Sequence, residues 1–273
     1  MTTWIECINV YSKIFATLDK YTNERFPVIK DDTALKNISV HILEKFHINL
    51  NNSLHIMLEI QQRPLDFLSL GLIFRGMLSD IINYRYLHFI YEHFGQQDFE
   101  NEVLILELDF AGNYKSIVDS EKVIGGADET KMREIDAKFF SNFAKFYSNG
   151  TKKKAEDFRV HDFRMRVNDY AAKNNINLPN RLETEWAKIL LVNDQYTEHV
   201  KIAYNYLAVF QHFSGSAYNF YKNEDYLAYN PNLAAIQSLI VIDTIVKIIK
   251  VMSPGDAYIP TFIEIGVIGF RPG

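Results

Sequence analysis

Residues 65–94, LDFLSLGLIFRGMLSDIINYRYLHFIYEHF, are apolar around almost the whole helical circumference and still carry Arg75 and Asp80 in their middle. A helix of this kind belongs inside a fold, since only surrounding protein covers apolar side chains on every side. Charge persists there only when paired or hydrogen-bonded. Arg75 sits among Leu72, Ile73, Phe74, Met77 and Leu78, so its guanidinium must meet a carboxylate, backbone carbonyls or an anionic ligand. Arg75 and Asp80 are thus either a polar anchor between helices or the floor of a site. The anchor is the expectation: a buried Arg–Asp or Arg–His–Tyr network that fixes helix register.

The rest of the chain reads as more helix. Gly and Pro are scarce, 12 and 7 in 273 residues, which argues against a turn-rich sandwich or barrel. Residues 2–26 form an amphipathic helix ended by Pro27, and Asp31, Asp32 and Thr33 offer caps for a second over 34–62. Pro64 and Asp66 suit the start of the apolar helix, which stops at Gly95. Further helices cover 98–124, ended by Gly125 and Gly126, and 128–147, ended by Asn149 and Gly150. Residues 182–221 are long and aromatic-rich, with a break at Ser214, Gly215 and Ser216. Asn230 and Pro231 open the last helix, and Ser253, Pro254 and Gly255 close it.

The expected fold is therefore all-α, a single bundle of about seven to nine helices with long central ones. Residues 1–252 make one all-helical domain, with 152–180 as a peripheral insertion over its core. Residues 253–273 make a short extended C-terminal tail, because Ile, Val and Phe dominate 258–270 in a strand-like mixture.

Several function classes drop out. Cys7 is the only cysteine, which removes an intrachain disulfide framework and a cysteine-based zinc cluster and suits a reducing, cytoplasmic setting. The first residues lack a basic region followed by an apolar core, so no secretory signal is expected. The most membrane-like stretch, 232–252, is interrupted by Gln237, Asp243, Lys247 and Lys250; the last three share one stripe, the mark of a core helix with one wet edge. No membrane partner is expected. A net charge of −5 gives no global attraction for nucleic acid. The eight histidines include no HExxH pair, and His41, His47 and His55, like His88 and His93, diverge around their helices. No metal and no cofactor are expected, for GxxxxGK[ST], GxGxxG and GxSxG are also missing.

A basic segment provides candidate nucleic-acid contacts: Lys152, Lys153, Lys154, Arg159, Arg164 and Arg166, interleaved with Phe158, Phe163 and Tyr170 that offer faces for base stacking. Glu156, Asp157, Asp162 and Asp169 share the segment and offset its charge, so a solvated face laced with ion pairs is the leading reading. The stripe of Tyr196, Tyr204, Phe210 and Phe213 reads as core.

Two stretches, 72–87 (LIFRGMLSDIINYRYL) and 204–214 (YNYLAVFQHFS), resemble helices of the DUF5677-like group of prokaryotic all-helical proteins, whose bundle is similar to that of HEPN-type domains. The likeness covers 41–87 and 203–252. It implies catalytic candidates Arg75, Asp80 and His212 with Tyr206 nearby, as in a metal-independent ribonuclease or toxin. The chain departs from that pattern in three places. Ser79 stands where the family has an acid one turn after the arginine, with Asp80 about 140° away from Arg75 around the helix. Ala208 stands where the family has a serine, and no arginine precedes a histidine at the HEPN spacing. The leading expectation is a non-catalytic helical interaction or ligand-binding component of a prokaryotic stress or defence system, with a protein partner or a second copy of itself. The ribonuclease using Arg75 and His212, and nucleic-acid binding through 152–173, are the alternatives.

Overall fold

Helix α1 (Trp4–Arg25) begins with a reciprocal cap. The Glu6 amide donates to Thr3 Oγ1 at 3.2 Å, and the Thr3 amide donates to Glu6 Oε2 at 2.7 Å, which satisfies two donors the first turn would otherwise leave open. The computed structural model describes residues 3–28, 33–59, 66–126, 128–208 and 224–268. The other helices are α2 (Ala34–Glu59), α3 (Asp66–Phe94), α4 (Gln96–Ile124), α5 (Glu129–Asn142), α6 (Phe163–Lys173), α7 (Glu185–Val192), α8 (Thr197–Ala208), α9 (Glu224–Met252) and α10 (Tyr258–Ile268). The fold is all-α, with 10 α-helices among the described residues where the sequence suggests fewer.

Two compact units divide the chain, one made of Met1–Tyr86 with Ile176–Gly273 and the other of Leu87–Asn175. The first has its core on the inward faces of α1 (Tyr11, Ile14, Leu18), α2 (Leu43, Phe46, Leu50), α3 (Phe74, Met77, Leu78) and α9 (Val241, Ile245, Ile248), all fully or almost fully buried. The spacings of three, four and seven that place these residues are those of one helix face. Polar ties thread this core. Tyr11 donates to the Ala234 carbonyl at 3.3 Å, and the Cys7 thiol points at the Pro231 carbonyl at 3.1 Å. Pro231 lies inside α9 rather than at its start, because the helix already begins at Glu224.

The C-terminal segment is a helix, not an extended tail. Ile259, Phe262 and Ile265 recur every three residues and are buried, whereas Ile263 and Val267 face out. The β-branched content that suggests a strand is overruled by this period and by packing on α1 and α9. Gly266 lies near Ile242 and Leu239 of α9, in a space where a Cβ would make ordinary van der Waals contact. The entry to α10 is fixed by Arg25 donating to Asp256 at 2.9 Å and Tyr258 donating to Glu24 at 2.7 Å.

In the second unit, α4 meets α5, a two-stranded hairpin (β1, Tyr147–Ser148; β2, Thr151–Lys152) and α6. The hairpin pairs Tyr147 with Lys152 and Ser148 with Thr151. Asn149 and Gly150 between them both have positive φ, 49° and 77°, as a two-residue type I′ turn requires. The Asn-Gly pair is thus a hairpin turn, and α5 has already ended at Asn142. Of residues 152–180, expected as a peripheral insertion, 152–175 belong to this unit and 176–180 to the first, and Phe163, Val167 and Ala171 of α6 are buried in the second unit.

Candidate functional site

Arg75 lies on the α3 face turned towards α7 and is 7% exposed. Its Nη1 donates to Glu185 Oε1 at 3.2 Å, its Nη2 bonds the other carboxylate oxygen, and Ser79 donates to the same carboxylate. Glu185 opens α7 directly after Thr184, whose hydroxyl caps that helix by accepting from the Ala187 amide at 3.2 Å. The guanidinium also lies 5.3 Å from the Tyr204 ring, which stands 5.8 Å from Trp186. Arg75 thus joins α3, α7 and α8 through a forked ion pair and a ring, and the carboxylate it meets is that of Glu185.

The other catalytic candidates are placed as follows. Asp80 pairs with Lys45 of α2 at 2.8 Å. Tyr206 is exposed on α8, and His212 lies outside the described residues. Among the described residues no three His, Cys, Asp or Glu side chains converge to hold a metal ion, and no helix is long and apolar enough to cross a membrane.

A second polar cluster uses the wet edge of α9. Arg85 bonds Asp243 at 2.7 Å and Asp194, and Lys247 reaches Asp194 at 2.5 Å and Asp243 at 3.0 Å. Burial disfavours the charged form of Asp194, but Arg85, Lys247 and the Tyr196 amide outweigh it and hold its carboxyl below the usual range. Beside Arg85 lies a cavity of about 10 Å³ that Lys188 and Thr197 also line, room for one water.

The basic segment is largely committed within its own unit. Arg159 grips Glu102 through two bonds, at 2.6 and 3.1 Å, and Arg166 grips Asp98 at 2.8 and 3.0 Å. Both acids lie on α4 and are buried. Lys152 faces Asp109 at 3.5 Å, and Lys153 donates to the Lys145 carbonyl at 2.8 Å with the Phe158 ring 5.6 Å away. Lys154 is exposed and Arg164 half-buried. The interleaved aromatics point inward: Phe163 is buried, and Tyr170 meets Phe89 and Phe94 edge-on.

An open groove of about 400 Å³ lies between α4 and α5 in the second unit. Its floor is Tyr114, Val118, Ile135, Phe139 and Phe143, with Phe139 and Phe143 stacked at 4.9 Å and Tyr114 5.7 Å from Phe143. Phe139 and Phe143 belong to the helically spaced aromatics of 128–147. Lys131 and Lys138 stand on its α5 rim, exposed and without an ion pair to any described residue; Glu121 stands on the α4 side. A quartet binds the two helices beneath: Lys122 contacts Asp119 at 2.8 Å and Asp136 at 2.7 Å, and Lys115 contacts them at 2.5 and 3.4 Å. Hydrogen bonds from Lys115 and Lys122 lower the Asp119 carboxyl, those from Lys122 chiefly lower Asp136, and the two acids raise Lys122.

The groove continues into an exposed apolar strip along α4: Phe110, 61% exposed, then Tyr114, Ile117 at 53% and Ile124 at 86%. Spacings of four, three and seven put these residues on one helix face. Helix 98–124 looks merely mixed by composition; this spacing is the sequence signal that marks its outer face as apolar.

No protein-family model matches the chain, and no curated protein or solved structure matches it.

Proposed function

We propose that this chain is a non-catalytic binding protein, a helical component of a prokaryotic stress or defence system, and that the α4–α5 groove is its recognition surface. The observation that carries the binding reading is the groove itself. It has the volume usual for ligand sites, an aromatic floor, two uncommitted lysines at its rim and an apolar strip running out of it. The stress or defence setting rests on the resemblance of 72–87 and 204–214 to the DUF5677-like helices. Arg75 supports the non-catalytic part, since a guanidinium already forked onto Glu185 and packed on Tyr204 is spent on joining helices.

The test uses anilinonaphthalene sulfonate, an anionic aromatic probe. The folded protein is expected to bind it saturably with a rise in fluorescence. Tyr114→Asp, at a half-exposed position, is expected to remove that binding while circular dichroism and the melting curve stay close to the parent's. Absence of saturable binding, or binding indifferent to Tyr114→Asp, defeats the proposal.

A further inference from the structure

We draw no further inference here: the strongest candidate, the apolar strip of Phe110, Tyr114, Ile117 and Ile124 that runs out of the α4–α5 groove, is edged by charges that balance, Lys131 and Lys138 against Glu121 and Glu134, and nothing in the structure shows what covers it.

Discussion

Arg159 and Glu102 meet as a fork on a fork: Nε donates at 2.6 Å to one carboxylate oxygen and Nη2 at 3.1 Å to the other, with both side chains almost fully out of water. One of the candidate nucleic-acid contacts is therefore an internal tie between the 152–162 segment and α4. Glu102→Ala removes the buried carboxylate that this guanidinium grips and is expected to cost about 3 kcal/mol. The exposed pair of Lys145 and Glu107 serves as control, and Lys145→Ala is expected to cost under about 1 kcal/mol. Urea unfolding separates the two; equal costs would mean that burial does not govern the Arg159 pair.

Arg75 and Glu185 form the corresponding tie in the first unit. Arg75→Ala and Glu185→Ala are each expected to destabilise by on the order of 3 kcal/mol, and the double variant by clearly less than the sum. Additive losses would show that the two residues act independently.

What the sequence shows of this arrangement is uneven, and the reasons are physical. An arginine inside an apolar helix announces that it needs a partner, and helical periodicity places Leu43, Phe46 and Leu50 on a buried face. Which carboxylate answers Arg75 is another matter. Glu185 is 110 residues away, and nothing local distinguishes it from other helix-opening acids. Composition misleads over 258–268, where β-branched residues look like a strand until Ile259, Phe262 and Ile265 are counted in threes. It hides the α4 strip as well, since charged residues on the other faces dilute the average. His212 falls outside the described residues, so the pairing with Arg75 suggested by the resemblance has no geometry to set beside it.

The buried face of α10 gives a direct test of its helical assignment. Phe262→Ala removes a fully buried ring and is expected to cost about 3 to 5 kcal/mol, whereas Ile263→Ala on the outer face is expected to be nearly neutral. An extended segment would alternate inward and outward positions, so substitutions at 259, 262 and 265 would not share one large cost.

Acid should loosen the Arg85 cluster. The Asp194 carboxyl is depressed in the folded chain, so its stabilising contribution is present above the ordinary aspartate range near pH ~4 and is lost as pH falls through the lower folded value. Asp194→Asn is expected to be less stable than the parent at neutral pH and to show a shallower loss of stability below pH ~4. Parallel stability–pH curves for the two proteins would contradict this.

Cys7 should be chemically silent while the chain is folded. It is fully buried, and burial, with the Glu6 carboxylate adding to it, pushes the thiol up to about 12, leaving almost no reactive thiolate at neutral pH. An aromatic disulfide reagent is expected to label it only as fast as the protein opens, and at once in denaturant. Prompt labelling of the native protein would mean that the α1–α9 contact is open.

The quartet of Lys115, Asp119, Lys122 and Asp136 gives the groove an unusual dependence on its medium. Lys122 is sheltered, but both aspartates remain substantially exposed, so dissolved ions compete for the bonds that hold the two walls together. The same ions screen Lys131 and Lys138 at the rim. Ionic strength therefore acts on the walls of the groove themselves, and a single change in the surrounding electrolyte loosens what holds them together.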